Sequence, residues 1–406
     1  MKDLIFSLSY NLLTRFVLLI ISILSVKLLT VAEYGELSYI LVITGTLAII
    51  SLFGGGTAVN RSFSLERKSN SFKLSNQIFF FNIIISLLIT VILFFLSWFF
   101  ISDLQAIIFI FMIFSLMSVN SIVEGAMYGL GKYRSLAINS SIVLFLSIIL
   151  GYFLISKFKV LGALIAIFLY RLILLFLNFV SILKLKVLGK VSFLSLINNK
   201  GVISSFKDIS LPTFFGAILV APVMLILMHF LKNTPNGLNE MAYFSWNNQI
   251  YTLAVFIPSV LTGFLISKMS SENRDVKNKL IKYIKYNFIF GFILSVILFL
   301  VKPFILGWAG SSYVENGNVS YNIMLLAIVC YCLNSVFGSY WISVNKAKFG
   351  FLINFFWACI VIISSYFLIN KLLSNEAIFV SLTIGYLLIF LVQWAVLLTQ
   401  RIENCE

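Results

Sequence analysis

The sequence is organised by twelve apolar runs of about twenty residues, which are separated by short polar segments. They lie at 7–29, 37–57, 78–99, 104–123, 138–156, 160–183, 209–231, 243–265, 284–304, 319–341, 350–369 and 377–398. A helix of ~20 residues, rising ~1.5 Å per residue, spans the ~30 Å core of a bilayer, whereas barrel strands alternate over ~10 residues. The runs therefore predict an all-α integral membrane protein with twelve transmembrane helices.

Composition agrees with this class of protein. With a mean hydropathy of +1.06 and 11% charged residues, the chain has too little polar surface to cover a soluble globule of 45.9 kDa. The first run carries Arg15 and Lys27 and has no small-residue cleavage site, so we expect a first span and not a signal peptide. The four cysteines show no metal or redox spacing, and no cofactor is expected.

The basic residues set the expected topology. Apart from Arg15 and Arg171, 21 lysines and arginines fall in segments on the side of the N-terminus and six fall in segments on the other side. Basic residues concentrate in cytoplasmic loops, so both termini are predicted to be cytoplasmic. The net charge of +15 is spread through short loops and forms no basic domain, which argues against nucleic acid as a partner.

An internal duplication is visible in the sequence. The stretch that begins Asn120-Ser121 and ends Lys132-Tyr133-Arg134 returns 214 residues later as Asn334-Ser335 through Lys346-Ala347-Lys348, without a gap. A weaker match relates 33–39 to 240–246. Six spans per repeat are an even number, so the halves are predicted to be six-helix bundles related by a pseudo-two-fold axis along the membrane normal, around a central cavity.

The predicted domains follow from this repeat. They are an N-terminal bundle at 1–183, a basic cytoplasmic connector at 184–208, a C-terminal bundle at 209–400 and a cytoplasmic tail at 401–406. The connector carries five lysines, which suits a segment on an anionic inner leaflet.

Arg15 belongs to a polar stripe on the first span. At 100° per residue the members fall within an arc of roughly 100°, and they are Ser7, Asn11, Thr14, Arg15, Ser22 and Ser25. The serines and threonine are also suited to gluing helices together, and Arg15 is near enough to the inner interface to snorkel. Because an intramembrane arginine costs ~2.5–3.5 kcal/mol on insertion scales, we favour a wet cavity or an anion as its surroundings.

Three further charged residues are candidates for the cavity. Arg171 lies near the middle of the sixth run, where snorkelling is difficult, and its alternative role is a structural hydrogen bond to backbone or to Glu124. Glu124, at the end of the fourth run, is suited to pairing with Arg15 or to solvation. Lys27, at the outer end of the first run, either snorkels or receives an anionic group that leaves the cavity.

The absent motifs restrict the function. The sequence has no HExxH, GxSxG or Walker loop and no paired acidic residues inside the runs, so we expect neither an enzyme nor an ATPase. Cation antiport needs an intramembrane carboxylate, whereas two arginines stand mid-run here. The predicted cavity is therefore cationic and suits an anion such as a pyrophosphate, which arginine binds as a planar fork.

Several stretches in order resemble a known family. They are Asn11-Leu12-Leu13-Thr14-Arg15, Lys27-Leu28-Leu29, Glu33-Tyr34-Gly35, Tyr128-Gly129-Leu130-Gly131-Lys132-Tyr133-Arg134, Ile257-Pro258 and 305–313. Over essentially the whole chain, the sequence resembles the polysaccharide exporters, the Wzx-type O-antigen flippases of the multidrug/oligosaccharidyl-lipid/polysaccharide (MOP) superfamily. Arg15 stands at the position of the basic residue usual in their first span, and Lys27 stands where an arginine is commoner. Arg171 is assigned from its depth and not from a motif.

The resemblance implies a fold, a substrate and a location. The fold is a V-shaped pair of six-helix bundles that opens alternately inward and outward. The substrate is an undecaprenyl-pyrophosphate-linked oligosaccharide for O-antigen lipopolysaccharide or a related polysaccharide, flipped from the cytoplasmic to the periplasmic leaflet of the bacterial inner membrane. The partners are membrane lipids and other surface-polysaccharide assembly proteins, and coupling to an H⁺ or Na⁺ gradient is left open. Candidate sugar contacts are Asn82, Asn120, Tyr243, Trp246, Asn247, Asn248 and Gln249.

Two alternatives belong to other functional classes. A cation-coupled multidrug or metabolite antiporter of the same superfamily would share the fold. A membrane polysaccharide polymerase or ligase would need a large extracytoplasmic loop with catalytic residues, and the loops between the runs are short.

Overall fold

Every element in the described part of the chain is a helix, as the hydropathy pattern predicts. The computed structural model describes residues 2–67, 71–97, 104–189, 196, 199–219, 221–259, 276–344, 346–369, 371 and 374–402. The first helices are α1 (Lys2–Leu28), α2 (Val31–Leu52), α3 (Gly55–Glu66), α4 (Lys73–Ser97), α5 (Leu104–Gly129), α6 (Tyr133–Lys184), α7 (Lys200–Ser205), a π-helix (Phe206–Ser210) and α8 (Leu211–Ile218). They are followed by α9 (Ala221–Lys232), α10 (Gly237–Ala254), α11 (Val276–Ala309), α12 (Ser311–Asn316), α13 (Asn318–Ser343), α14 (Ala347–Leu368) and α15 (Ser374–Ile402).

The helices account for the predicted spans. Within the described residues, ten helical segments are long and apolar enough to cross a membrane, and the 52-residue helix α6 covers the fifth and sixth predicted runs. The eighth predicted run, 243–265, coincides in part with α10, and its last residues lie outside the described part of the chain. The chain is a multi-pass membrane protein of all-α class.

Helix α6 is a hairpin and not one continuous rod. Lys159 has non-helical dihedral angles (φ 54°, ψ −128°), and a Cβ on Gly162 would lie 2.0 Å from the Leu154 carbonyl oxygen. The two arms run antiparallel, because Ser135 bonds Ser181 and Asn139 bonds Asn178 across them. Glycine at 162 permits this tight reversal, since a side chain there would overlap the first arm.

Helix α5 is the central helix of the first unit, where it packs against α2, α3, α4 and α6. Two glycines one turn apart let α3 approach closely: a Cβ on Gly125 would lie 2.3 Å from the Gly56 carbonyl oxygen, and one on Gly129 2.6 Å from that of Asn60. Small residues at such spacing are the usual contact between membrane helices, where backbone proximity replaces the hydrophobic effect as the source of attraction.

Helix α13 has the corresponding place in the second unit, where it packs against α10, α11, α12, α14 and α15. One end of this packing is a buried cluster of large side chains: Leu280, Ile284, Val336, Phe337, Tyr340, Trp341 and Leu397. The repeated Asn-Ser motif therefore lies on the central helix of each unit, at Asn120 in α5 and at Asn334 in α13.

The contacts divide the chain into two compact units, Met1–Leu225 and Ile226–Glu406. The segment predicted as a connector, 184–208, lies within the first unit and contains the short helix α7 and part of the π-helix. The predicted bundle boundaries at 183 and 209, and the predicted cavity between the bundles, stay predictions.

Candidate functional site

The candidate site is a polar cluster inside the first unit, around the carboxylate of Glu124 on α5. Tyr10 of α1 is 2% exposed, and its hydroxyl donates a hydrogen bond to Glu124 Oε1. Asn120, one turn before Glu124, donates to the same oxygen through Nδ2. The carboxylate is therefore held by α1 and by its own helix, and a half-buried carboxylate needs such donors because it has lost part of its water.

A chain of amides extends this cluster across three helix segments. Asn178 Nδ2 donates to Asn120 Oδ1 at 3.1 Å, and Asn139 Nδ2 donates to Asn178 Oδ1 at 2.9 Å. Asn139 also donates to the hydroxyl of Ser181 at 3.2 Å. The chain joins α5 to both arms of the α6 hairpin, so it fixes the position of the second arm, which carries Arg171.

Arg171 provides the positive charge of the cluster. Lys159, where the hairpin turns, is twelve residues away, or about 18 Å along the helix, so Arg171 lies near mid-depth of a ~30 Å core. Its guanidinium carbon lies 4.6 Å from the centre of the Tyr170 ring, within the range of a cation–π interaction. It is also close enough to Glu124 for an attractive electrostatic interaction.

The guanidinium of Arg171 has a hydrogen-bond donor that is not used. Its Nε is buried and has no hydrogen-bond partner among the described residues. Such a donor costs free energy, because burial removes its water without a replacement acceptor. The alternative role for Arg171 was a structural hydrogen bond to backbone or to Glu124, and the oxygen Oε1 of Glu124 accepts from Tyr10 and Asn120.

Arg15 and Lys27 are both exposed on α1. Arg15 is one turn after Asn11, whose Nδ2 donates to the Tyr128 hydroxyl at 3.0 Å, so Arg15 and this bond share a helix face. Lys27 is twelve residues further on, about 18 Å along the helix. Of the four predicted site residues, the structure brings Glu124 and Arg171 together, and it places Lys27 at the far end of α1.

Part of the predicted polar stripe on α1 is a packing surface. Ser22 is 5% exposed and its hydroxyl lies 2.6 Å from that of Tyr34, while Ser25 is 0% exposed. These serines therefore fit the alternative role, contact between neighbouring helices, better than they fit the wall of a water-filled cavity. Several candidate sugar contacts are likewise under 9% exposed, namely Asn82, Asn120, Tyr243, Trp246 and Asn247.

Sequence reasoning missed Tyr10 and Asn139. Tyr10 precedes Asn11 of the polar stripe. Its partner Glu124 is 114 residues away, and a single sequence does not show which distant residues are neighbours in space. Asn139 is a polar residue within an apolar run, which was the available signal.

The second unit has a neutral counterpart of this cluster. Asn334 Nδ2 donates to the Tyr386 carbonyl oxygen at 2.8 Å, and its Oδ1 accepts from Gln393 Nε2 at 3.0 Å. Trp341 Nε1 donates to Gln393 Oε1 at 2.8 Å. Tyr386 stands 215 residues after Arg171, close to the repeat offset, and its hydroxyl meets that of Tyr251 at 3.0 Å. The charged pair is thus specific to the first unit at these positions.

The cluster contains a carboxylate, a guanidinium, amides and phenols, all of which can donate or accept hydrogen bonds. Among the described residues there is no group of three or more His, Cys, Asp or Glu that would hold a metal ion.

Comparisons with solved structures define the fold more closely. An inward-facing multidrug resistance MATE family transporter of the MOP superfamily superposes with a TM-score of 0.78 at 12% identity, over 95% of each chain. A MOP superfamily transporter from Pyrococcus furiosus superposes with 0.69 at 13% identity, over 98% of this chain and 94% of that one. An outward-facing MATE transporter gives 0.68 at 14% identity, with the same coverage.

The chain therefore has the fold of the MOP superfamily transporters, for which inward-facing and outward-facing structures are both known. The sequence itself matches no known protein family and no curated protein. At 12–14% identity the likeness concerns the fold, and its assignment to the polysaccharide-exporter branch is a separate proposal.

Proposed function

We propose that the protein flips an undecaprenyl-pyrophosphate-linked oligosaccharide, for O-antigen or a related surface polysaccharide, from the cytoplasmic to the periplasmic leaflet by alternating access. The observation that carries the proposal is the mid-span guanidinium of Arg171 with its unpartnered Nε. A pyrophosphate supplies several anionic oxygens in a geometry that arginine binds as a fork.

The surroundings of Arg171 favour a ligand over a permanent internal partner. Glu124 provides a nearby negative charge that lowers the cost of an empty site, yet its oxygen Oε1 is occupied by Tyr10 and Asn120. Arg171 thus keeps donors for an incoming group. Because interactions between charges strengthen as the local dielectric falls, the attraction between Arg171 and a phosphate offsets part of the cost of removing the phosphate's water at this depth.

Arg15 has an entry role in the same proposal. It is exposed on α1, beside the Asn11–Tyr128 hydrogen bond. An exposed arginine near the cytoplasmic interface would attract the pyrophosphate before it meets Arg171. Lys27 at the other end of the helix would receive it on release, on the predicted topology with cytoplasmic termini.

One structural neighbour shows that the fold is not restricted to one kind of pocket. The Pyrococcus furiosus transporter is described as a MOP protein whose binding pocket has reverse polarity, which suggests a different function for it. The same fold thus accommodates pockets of either polarity. The bulky lipid tail would stay in the bilayer while the charged head crosses, and membrane lipids and other surface-polysaccharide assembly proteins are the expected partners.

The test is transport in reconstituted vesicles of a fluorescent polyprenyl-pyrophosphate oligosaccharide, scored by the label that becomes accessible in the opposite leaflet. Arg171→Ala should abolish flipping, and Arg171→Lys should retain a small part, because lysine keeps the charge and loses the fork. Arg134→Ala is the matched control, since Arg134 is an exposed arginine in the same unit outside the cluster. Wild-type rates in Arg171→Ala would refute the proposal.

A second candidate is a cation-coupled multidrug antiporter, and the neighbours favour it because two of them are described as multidrug resistance transporters. This reading assigns Glu124 as the coupling carboxylate and gives Arg171 a structural role. It predicts that a pH or Na⁺ gradient drives uptake of a cationic dye and that Glu124→Gln abolishes it. The flippase reading predicts no dye transport by the wild-type protein.

A further inference from the structure

A second cavity lies at one end of the first unit, away from the Glu124 cluster. Its volume is about 330 Å³, and its walls come from α3, the first turns of α4, α7 and the π-helix. A cavity of this size is at the lower limit for small-molecule sites. The neighbouring backbone is unusually close here, because a Cβ on Gly54 would lie 2.2 Å from the carbonyl oxygen of Ser210, the last residue of the π-helix.

The cavity carries one cation and one available anion. Within the described part of the chain, the Arg61 guanidinium on α3 has no hydrogen bond or ion pair to another residue. Asp208 of the π-helix also lines the cavity and accepts one hydrogen bond, from the Ser204 hydroxyl at 2.6 Å. A third charge, Glu66, is engaged elsewhere, since it accepts from the backbone amides of Leu74 and Ser75 at the start of α4.

The wall also contains an unsatisfied hydroxyl. Ser205 lines the cavity and is only 9% exposed, and its Oγ has no hydrogen-bond partner among the described residues. A buried hydroxyl is normally paired, so an unpaired one in a cavity wall indicates a position that a bound group would complete.

The remaining wall is apolar and lies at the beginning of a membrane-spanning helix. Leu74 and Ile78 are in the first two turns of a span, Lys73–Phe95, and Leu65 on α3 is 68% exposed. An exposed leucine next to the end of a membrane helix is suited to an acyl chain. The ligand of such a cavity is amphiphilic, with a charged group between Arg61 and Asp208 and an apolar part along the leucines.

We propose that this cavity binds the head group of a zwitterionic, amine-bearing phospholipid, with its phosphate on Arg61 and its ammonium on Asp208. A phosphoethanolamine group matches both charges and has the N–H donors that a carboxylate accepts. A phosphocholine group has the same net charge without those donors, and a phosphoglycerol group has no cation for Asp208. The bound lipid would join α3 to the segment 200–210. This proposal concerns a different site from the flippase proposal and does not depend on it.

Native mass spectrometry of the purified full chain in detergent tests the proposal, with dioleoyl phosphatidylethanolamine, phosphatidylcholine or phosphatidylglycerol added separately. A charge-assisted hydrogen bond at a partly exposed site corresponds to about tenfold in affinity, so the wild type should prefer phosphatidylethanolamine by about tenfold. Arg61→Ala should weaken the binding of all three lipids. Asp208→Asn should remove the preference for phosphatidylethanolamine over phosphatidylglycerol.

Arg67→Ala is the matched control, because Arg67 is an exposed arginine at the end of the same helix and does not line the cavity. It should leave all three affinities unchanged. Equal binding of the three lipids to the wild type would overturn the proposal, as would an undiminished ethanolamine preference in Asp208→Asn or an equal loss in Arg67→Ala. Arg61, Arg67 and Asp208 are exposed, so the variants should fold, and Arg61→Lys gives a second, milder variant with an intermediate loss. Flipping activity is not part of the readout, so failure here leaves the flippase proposal standing.

Discussion

The hydrogen bond from Tyr10 to Glu124 gives a sharp test of the buried cluster. Tyr10→Phe keeps the ring and its packing and removes only the hydroxyl, and the ring is too buried for water to replace the lost donor. The carboxylate keeps its bond from Asn120. The change therefore isolates one donor to one charged acceptor.

The expected magnitude follows from two limits. Hydrogen bonds to charged groups contribute ~1.5–3 kcal/mol in soluble proteins, whereas side-chain bonds between membrane helices average ~0.6 and reach ~1.7 kcal/mol. Since the acceptor is charged and retains one other donor, we expect a loss of ~1–1.5 kcal/mol in the free energy of unfolding. This corresponds to about a five- to twelvefold change in the unfolding equilibrium.

Reversible unfolding in mixed bicelles, followed by fluorescence, measures this change. Tyr128→Phe is the matched control, because the Tyr128 hydroxyl accepts from the neutral Asn11 amide, and its loss should be ~0.6 kcal/mol. In a Glu124→Gln background, Tyr10→Phe should cost about half as much, since the acceptor is then neutral. An unchanged stability for Tyr10→Phe, or the same loss in both backgrounds, would refute the charged hydrogen bond.

Three other perturbations test different parts of the chain. Gly125→Val should lower stability by ~2 kcal/mol or more, because its Cβ position is 2.3 Å from the Gly56 carbonyl oxygen; Gly216→Val, with open space around it, is the control for the same unfolding assay. Asn334→Ala should cost ~1–2 kcal/mol, since it leaves Gln393 Nε2 without its acceptor, and an unchanged unfolding curve would contradict that bond. In cells, Arg15→Ala should cause lipid-linked repeat units to accumulate on the inner leaflet, and normal surface polysaccharide would argue against its entry role.

The sequence predicts more of the fold than of the candidate site. Hydrophobic runs and their lengths are local properties, so the pattern sufficed for the spans, including the two arms of the α6 hairpin around Lys159. The eighth run was the weakest case, because α10 is rich in amides and aromatic residues around Trp246 and does not reach the hydropathy of a clear span.

The site depends on relations that one sequence does not contain. The depth of Arg171 could be read from its place in a run, and so could the cost of burying it. Its relation to Glu124, and that of Glu124 to Tyr10, depends on which helices are neighbours. Periodicity was misleading at Ser22 and Ser25, since a polar face on a membrane helix fits a helix contact as well as it fits water.

The internal repeat separates what the fold needs from what the function needs. In both units the asparagine of the repeated motif bonds an amide on the unit's last long helix, Asn120 to Asn178 and Asn334 to Gln393. An amide pair between helices replaces the hydrogen bonds that water cannot supply inside a membrane bundle. Such a pair therefore stabilises the packing of either unit. A half-buried guanidinium has no such packing role by itself, and an offset of 215 residues from Arg171 gives Tyr386 in the second unit. An arginine at this position in one unit only is therefore not explained by the packing that the two units share, which agrees with the proposal that it serves function.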